Sequence, residues 1–299
     1  MREVAVVRVD SLEKALRGAD MSLSLMYITN NPTVALIAEK NGVDRIWVDL
    51  ETLGKEERQK NMNSVKSHHT VQDVANISKL LTTAELQVRI NPWHEGSKVE
   101  IEQVIAAGAN RIMLPMWKSL QEVDEFLHVV NKRVATTLLL ETREAEECLD
   151  HVLKHPLLDE IHIGLNDLHL SYGLTFMFEL LSNGTVERMC DKMKQAGVNY
   201  GFGGIARIGE GTIPAEMIVM EHYRLGSTRA ILARSFCNTT DGADAAKVEE
   251  LFAENMKKLR DWESEVENSK LDTILENTKR LSQRVSEVVD EIKWRNENV

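Results

Sequence analysis

The sequence predicts an α/β protein: a (β/α)8 TIM barrel with a C-terminal helical extension. Short apolar runs alternate with helical stretches over most of the chain, as in parallel α/β proteins. Five acidic or basic side chains closely follow four of those runs. A strand covered on both faces is apolar throughout, so a charge at its exit belongs to the rim where such barrels hold their sites. The length of 299 residues suits one barrel with an appendage.

The predicted elements follow in order along the chain. Strands are expected near residues 22–28, 44–49, 85–90, 110–114, 136–140, 159–163, 198–202 and 228–232. Helices are expected between them, among others at 32–40, 71–81, 98–107, 120–131, 144–153 and 214–223. Gly42, Gly108 and Gly197 follow three helical stretches, as C-terminal caps do. A doubly wound open sheet is the alternative architecture.

The chain is interpreted as three parts: an N-terminal segment over 1–20, a barrel domain over 21–240 and a helical extension over 241–299. In the extension apolar residues recur in steps of three and four, which is the pattern of a coiled-coil seam. The seam consists of Leu271, Ile274, Thr278, Leu281, Val285, Val288 and Ile292. This pattern fits a helix that holds a homo-oligomer together, and equally an amphipathic helix lying on its own barrel.

Composition excludes several classes of partner. A net charge of −11 argues against a nucleic-acid binder, which needs basic surface for phosphates. The sequence contains no apolar stretch long enough to span a bilayer, and its first residues do not resemble a signal peptide. Cys148, Cys190 and Cys237 form neither a disulfide framework nor a metal cluster. We therefore expect a cytoplasmic protein without membrane partners.

Two of the strand-end acids have a spacing that points to a metal ion. Glu141 and Asp167 are 26 residues apart (167 − 141), about the length of one strand–helix–strand unit. They are therefore expected to leave neighbouring strands at the same rim. Carboxylate oxygens are the ligands that Mg²⁺ and Mn²⁺ prefer. The alternative is that Glu141 caps the following helix or pairs with Arg143.

These segments resemble those of the HpcH/HpaI aldolase and citrate lyase beta-subunit family, of the phosphoenolpyruvate/pyruvate-binding barrel superfamily. Residues 139–145 (LLETREA) resemble its strand-five motif, and residues 163–173 (IGLNDLHLSYG) resemble its IGxxDLxxxxG motif. Residues 108–116 resemble the strand-four motif. Residues 88–92 (VRINP) and 48–51 (VDLE) are similar to the citrate lyase branch. The ordered set spans about 22–235 and implies a divergent member.

The resemblance implies a role for each matching residue. Glu141 and Asp167 would bind Mg²⁺ or Mn²⁺. Arg89 would hold the carboxylate or enolate oxygen of the substrate, since a guanidinium stays charged and offers a planar fork of donors. Backbone amides near Asn166 and Asp167 would complete the carboxylate-binding cradle. Pro115 and Trp117, at the exit of the fourth strand, are also predicted to bind substrate.

The chain departs from the family at the expected general base. Aldolase members place a histidine after the strand-two Asp and Glu, whereas this chain has Thr52. His94, in the loop after Arg89, is one candidate for the missing base because histidine is the usual proton carrier near neutral pH; a solvated loop histidine is the alternative. Asp49 is a second candidate if burial raises its pKa. The polar pair His68-His69 is interpreted as solvated loop.

The leading functional hypothesis is a divalent-metal-dependent carbon–carbon lyase or aldolase. It would act on a small 2-oxo acid, pyruvate- or oxaloacetate-like, through a metal-stabilised enolate. One alternative is a lyase of the citryl-CoA or malyl-CoA type, favoured by Asp49-Leu50-Glu51 and by the segment around Arg89. Another is a binding or scaffold barrel that lost catalysis together with the usual histidine.

Overall fold

The computed structural model describes residues 22–54, 69–237 and 244–298, apart from the side chains of Arg234 and Ser235. The strands β1 to β8 are Ser24–Ile28, Arg45–Asp49, Glu85–Arg89, Arg111–Leu114, Ala135–Leu140, Glu160–Ile163, Asn199–Ile205 and Arg229–Leu232. Each strand pairs in parallel with the next, and β8 pairs with β1 to close the barrel. The predicted (β/α)8 barrel is therefore confirmed, and the open-sheet alternative is wrong. The predicted segment 1–20 lies outside the described residues.

Helices alternate with the strands around the outside of the barrel. The helices α1 to α9 are Pro32–Lys40, Val71–Ser78, Ser97–Ala106, Leu120–Val130, Arg143–Val152, Leu165–Ser171, Glu179–Ser182, Thr185–Ala196 and Ala215–Leu225. Side-chain caps fix several starts: Thr70 and Ser119 form capping boxes with Asp73 and Glu122. Thr142 caps α5 by accepting a hydrogen bond from Ala145 N. These caps set where the chain turns from each strand into its helix.

The seventh strand runs further than predicted. It continues through Gly203 and Gly204 to Ile205, with a shift in its register against β8 between Gly201 and Gly204. A Cβ atom at position 201 would lie 2.3 Å from Arg229 O, so only glycine allows β7 and β8 to approach here. The glycines that mark this segment therefore serve strand pairing.

A buried ionic cluster closes the N-terminal end of the barrel. Arg45 donates two hydrogen bonds to Glu160, at 2.6 and 3.0 Å. Arg111 lies 4.0 Å from the same carboxylate, and Arg229 forms a further ion pair with it. Glu85 pairs with both Arg45 and Arg111. Burial acts to raise the pKa of Glu160, but these guanidinium groups outweigh it and lower the pKa to about 2.

Apolar side chains fill the barrel above this cluster. Trp47, Met113 and Leu139 pack together in the interior. His162 lies at the same level, fully buried, with Nε2 3.2 Å from Gly203 O. The interior is thus an ionic layer, then a mainly apolar layer, and then the strand exits. The apolar layer separates the two sets of charges.

Two long helices, α10 (Ala245–Glu267) and α11 (Leu271–Glu297), form the C-terminal extension. Helix α10 packs on α1, and α11 packs on α9 and α7. The seam residues Ile274, Leu281 and Val288 are buried. The apolar face of α11 therefore lies on its own barrel, as one of the two interpretations predicted. Homo-oligomerisation through this helix stays a prediction.

A buried carboxylate fastens α11 to the barrel. Glu221 on α9 accepts hydrogen bonds from Asn277 Nδ2 at 3.2 Å and from Thr278 Oγ1 at 2.7 Å. Its other oxygen accepts from Arg224 Nε at 2.8 Å.

Among the helices in the described ranges, none combines the length and apolar character needed to cross a membrane.

Glu160→Gln is expected to lower the free energy of unfolding by about 3–5 kcal/mol. The change would leave three guanidinium groups packed around a neutral amide, and a broken buried ion pair costs about that much. Urea unfolding monitored by circular dichroism measures the effect. The control is Glu102→Gln, because Glu102 pairs with Arg133 through two hydrogen bonds on the surface. Equal unfolding midpoints for the two variants would contradict a structural role for the cluster.

Two buried histidines should make the protein less stable as the pH falls. Burial lowers the pKa of His162 to about 4 and that of His222 to about 3. Between pH 6.5 and 4 the unfolded chain binds protons that the folded protein does not, so unfolding becomes easier. At pH 5 this amounts to roughly 2 kcal/mol for each histidine. The free energy of unfolding of His222→Gln should therefore fall less between pH 7 and pH 5 than that of the wild type.

The matched control for this pH effect is His128→Gln, because His128 is exposed on α4. Urea unfolding at pH 7 and pH 5 compares the three proteins. The change in unfolding free energy between pH 7 and pH 5 is compared between His222→Gln and the other two proteins. The difference measures the contribution of His222. A pH dependence that is the same in His222→Gln as in the other two would exclude a neutral buried imidazole at this position.

Candidate active site

Asp49 and Arg89 form the first part of the candidate site, at the exits of β2 and β3. The two residues lie side by side in the register of the strands. Arg89 Nε and Nη2 donate to the two oxygens of Asp49, each at 2.8 Å. Arg89 Nη2 also lies 3.3 Å from Glu51 Oε2. Asp49 and Glu51 are buried, so the mouth of the barrel holds a fixed guanidinium with two carboxylates.

The guanidinium of Arg89 stays charged at any accessible pH. Burial acts to lower the pKa of Arg89, but the charges of Asp49 and Glu51 outweigh it and raise the pKa. The group also lies 5.1 Å from the ring centroid of Trp47, within the range of a cation–π interaction. Nε and Nη2 of the guanidinium donate to Asp49, and the 3.3 Å contact with Glu51 also involves Nη2. Arg89 therefore holds a permanent positive charge in a fixed orientation at the barrel mouth.

Glu141 is held at the exit of β5 by two features that the sequence did not reveal. Its Oε1 accepts a hydrogen bond from Met116 N at 3.0 Å. Met116 adopts φ +52°, a conformation that is unusual for a side chain of this size. A Cβ atom at Gly164 would lie 2.8 Å from Glu141 Oε2 and 3.0 Å from its Cβ. Only glycine at 164 therefore leaves room for this carboxyl group.

Glu141 and Asp167 lie close enough to repel each other. Burial raises the pKa of Glu141 well above its usual range, and the charge of Asp167 raises it further. Arg89 acts in the opposite direction but does not offset the other two. Asp167 is half-buried in the first turn of α6. The structure thus brings together the two predicted metal ligands, beside the predicted substrate arginine.

This arrangement fits a divalent cation. Asp49, Glu51 and Glu141 all act on the Arg89 guanidinium, and Asp167 adds its charge to that of Glu141. Buried anions in excess of one cation need a proton or a further cation. Glu141 and Asp167 offer the hard oxygen ligands that Mg²⁺ and Mn²⁺ prefer. The alternative, in which Glu141 pairs with Arg143, is not seen: Arg143 pairs with Glu147.

His94, the predicted base, lies in the loop after β3 and is tied to that loop. Its Nδ1 accepts a hydrogen bond from Gly96 N at 2.9 Å, and its Nε2 lies 3.4 Å from Glu100 Oε2. Glu100 also accepts from Asn91, whose side-chain oxygen accepts from Thr52 N at 2.9 Å. His94 is therefore connected, by its contact with Glu100 and by the hydrogen bonds of Asn91, to the position where the family has its histidine. Its catalytic role stays a prediction.

The predicted substrate-binding residues differ in exposure. Asn166 is exposed on α6, whereas Pro115 is buried at the exit of β4. Trp117 is 1% exposed and packs in the hydrophobic core. Its carbonyl oxygen accepts a hydrogen bond from Thr142 Oγ1 at 2.8 Å. Trp117 therefore supports the chain immediately after Glu141, and no face of its indole is open to a ligand.

His69 contacts the site, although its sequence context indicated solvated loop. Its Nδ1 accepts a hydrogen bond from Asp49 N at 2.9 Å. The interpretation of His69 as solvated loop is therefore wrong, and His68 lies outside the described residues. The signal that locates His69 is local: it immediately precedes Thr70, the cap of α2. That cap places His69 against the end of β2.

A second cluster of metal-ligating side chains lies away from the barrel mouth. Asp124 Oδ1 is 3.2 Å from His155 Nε2, and Asp124 Oδ2 is 3.4 Å from His128 Nδ1. Within the described ranges this is the one group of three or more such residues whose ligand atoms lie within 4.8 Å of one another. Asp124 and His128 are exposed on α4. The cluster is therefore separate from the predicted pair at the strand exits.

Comparison with protein families identifies the family of this chain. The sequence model of the HpcH/HpaI aldolase/citrate lyase family matches residues 23–199. The chain belongs to this family. Family membership indicates a carbon–carbon lyase of the aldolase/citrate lyase type within the phosphoenolpyruvate/pyruvate-binding barrels. No match is found among curated protein sequences.

Solved structures of similar fold share the barrel. An HpcH/HpaI aldolase from Desulfitobacterium hafniense is 14% identical, with a TM-score of 0.55, and the match covers 80% of this chain and 93% of that one. A family protein from Burkholderia cenocepacia is 17% identical, with a TM-score of 0.56, covering 84% and 98%. The tryptophan synthase A-subunit from Pyrococcus furiosus scores 0.55 at 11% identity, covering 81% and 98%. Shape alone therefore shows the barrel, and the family match gives the chemistry.

Glu141→Gln is expected to stabilise the metal-free protein. The raised pKa of Glu141 means that its ionised form costs stability at neutral pH, a cost that disappears only as the pH falls. Glutamine keeps an oxygen for Met116 N and removes the repulsion from Asp167. Differential scanning calorimetry at pH 7 should show a higher Tm, by about 2–4 °C for each kcal/mol relieved.

The matched comparison is the same substitution at the opposite end of the barrel, Glu160→Gln. It should lower Tm, because there the carboxylate is surrounded by guanidinium groups. If Glu141→Gln lowered Tm as Glu160→Gln does, the mouth would not carry an excess of negative charge.

Proposed function

We propose that this protein is a divalent-metal-dependent carbon–carbon lyase or aldolase that acts on a small 2-oxo acid, pyruvate- or oxaloacetate-like, through an enolate. The observation that carries the proposal is the pair Glu141 and Asp167, mutually repelling beside Arg89. Mg²⁺ or Mn²⁺ held by the two carboxylates would supply Lewis-acid stabilisation of the charge that develops on the ketone oxygen. Membership of the family supports the reaction class.

Arg89 is assigned to bind the substrate carboxylate. Asp49 accepts two hydrogen bonds along one edge of the guanidinium, which fixes the plane of the group. A donor held rigid before the reaction costs no reorganisation during it, so its charge is fully effective on an anionic substrate. Glu51 lies on the same guanidinium and adds to the negative field that favours a cation nearby.

Proton transfer at the substrate carbon is assigned to His94 in preference to Asp49. Both oxygens of Asp49 already accept hydrogen bonds from Arg89, so the carboxylate is engaged in holding the guanidinium. The ring of His94 is 34% exposed. Its Nδ1 accepts from Gly96 N, so the substrate proton would go to Nε2, which lies 3.4 Å from Glu100 Oε2. Thr52, at the family's histidine position, has no titratable group.

The test is solvent deuterium exchange into the methyl protons of pyruvate, followed by proton NMR with Mg²⁺, Mn²⁺ or Co²⁺. The wild type should catalyse exchange. Glu141→Gln combined with Asp167→Asn should lower the rate by at least about 100-fold, since several kcal/mol of charge stabilisation would be lost. The surface variant Glu102→Gln should match the wild type. Absence of exchange with all three ions would refute enolate chemistry on pyruvate.

A lyase of the citryl-CoA or malyl-CoA type is the second candidate. The Asp49–Arg89 pair favours it, because both residues stand in the segments that resemble the citrate lyase branch. Thermal stabilisation by acetyl-CoA, with none by pyruvate, would favour this substrate class. The combined variant Glu141→Gln and Asp167→Asn removes both candidate metal ligands. If it lost metal binding without any change in turnover, the protein would instead be a scaffold barrel.

The setting of the enzyme is part of the proposal. Cys148, Cys190 and Cys237 are free thiols in the structure. Free thiols fit a reducing cytoplasm, where disulfides are rare. We infer a homo-oligomer that works on small molecules without nucleic-acid or membrane partners, in keeping with the net charge of −11.

A further inference from the structure

The two proposed metal ligands stand on separate units of the fold. Glu141 follows β5 and precedes Thr142, the cap of α5, whereas Asp167 lies on α6, after β6. Helix α6 has only seven residues and no side-chain hydrogen bond at its N-terminus. A helix this short is not stable by itself, so tertiary contacts must set its orientation. The relative position of the two carboxylates depends on those contacts.

Leu165 and Leu168 bury one face of α6 in the core. Two residues at its end add polar contacts, and we call Ser171 and Tyr172 the clamp. Ser171 Oγ accepts a hydrogen bond from Arg143 N at 2.9 Å. The Tyr172 hydroxyl donates to Glu146, and the Arg143 guanidinium carbon lies 5.8 Å from the centroid of the Tyr172 ring. Both Arg143 and Glu146 belong to the first turn of α5. The clamp therefore joins the end of α6 to the start of α5.

Helix α5 is itself fixed at this point. Thr142 caps it and donates to Trp117 O at 2.8 Å, and Glu146 accepts a hydrogen bond from Arg188 Nη2 at 2.9 Å. Burial, followed by the hydrogen bond to Glu146, raises the pKa of Tyr172 to about 12, so its hydroxyl stays a donor. The clamp is therefore attached to the fixed first turn of α5, next to Glu141.

Ser171 lies one helical turn after Asp167, on the same face of α6. Holding Ser171 therefore holds Asp167, while Gly164 lets α6 start against the Glu141 carboxyl group. We propose that Ser171 and Tyr172 are positioning residues that set the separation of Glu141 and Asp167, and thereby the affinity and selectivity for the cation. This inference rests on the proposed function.

Selectivity follows from the coordination demands of each ion. Mg²⁺ requires near-ideal octahedral geometry, whereas Ca²⁺ accepts longer and more variable distances. A looser α6 should therefore cost Mg²⁺ more affinity than Ca²⁺. The clamp makes the site a Mg²⁺ or Mn²⁺ site by rigidity, although the ligand types alone would also accept Ca²⁺.

The variants for the test are Ser171→Ala, Tyr172→Phe and the two combined. The matched control is Tyr223→Phe, because Tyr223 also donates its hydroxyl to a carboxylate, Glu263, at 3.2 Å, between α9 and α10. Three properties are measured: hydrogen exchange of residues 165–171 in metal-free protein, Mn²⁺ affinity by electron paramagnetic resonance, and displacement of Mn²⁺ by Mg²⁺ and by Ca²⁺.

The double variant should exchange faster at 165–171 and bind Mn²⁺ about tenfold more weakly, as loss of outer-shell support does elsewhere. Its Mg²⁺ affinity should fall more than its Ca²⁺ affinity, and Tyr223→Phe should change none of the three. Unchanged exchange at 165–171 would overturn the inference. So would faster exchange with Mn²⁺ affinity within about twofold of the wild type.

The proposed function fails separately from the clamp. If the wild type and Tyr223→Phe bind Mn²⁺ and Glu141→Gln does not, the metal site stands whatever the clamp variants do. If the wild type does not bind Mn²⁺, the metal site is refuted and the clamp has no cation to select.

Discussion

The register between neighbouring parallel strands is the constraint on which the candidate site depends. Asp49 and Arg89 face each other because β2 and β3 pair with those two residues side by side. A shift of one residue would turn one of them to the outside of the barrel. Closure of the barrel then brings Glu141, from β5, to the same mouth, and Gly164 follows on β6. Every proposed interaction with substrate starts from that shared rim.

The two ends of the barrel differ in the balance of their buried charges. At the N-terminal end three guanidinium groups surround Glu160 and lower its pKa to about 2, so the cluster stabilises the fold. At the C-terminal end carboxylates outnumber the one guanidinium, and burial together with Asp167 raises the pKa of Glu141. The apolar layer around Trp47 keeps the two sets apart. Stability is thus concentrated at one end, while the other end keeps an unbalanced charge for a ligand.

The residues that carry this excess negative charge are held in place by contacts with the rest of the fold. Met116 N fixes one oxygen of Glu141, and the clamp of Ser171 and Tyr172 fixes the helix that carries Asp167. The C-terminal helices lie on the barrel from outside, where Glu221 and Glu263 accept hydrogen bonds from several segments. Two like charges stay close only where the surrounding structure prevents them from moving apart. The contacts of Met116, Ser171 and Tyr172 provide this restraint for Glu141 and Asp167.

The sequence by itself determined the barrel, the order of its strands and the identity of the rim residues. Apolar runs and helix caps are local signals, and the spacing of Glu141 and Asp167 follows from one strand–helix–strand unit. Only the tertiary structure decided the partners: the Met116 amide, the contact of His69 with Asp49, the burial of Trp117 and the ion pair of Arg45 with Glu160, 115 residues away. Such contacts join distant segments through geometry, and no local pattern encodes that geometry.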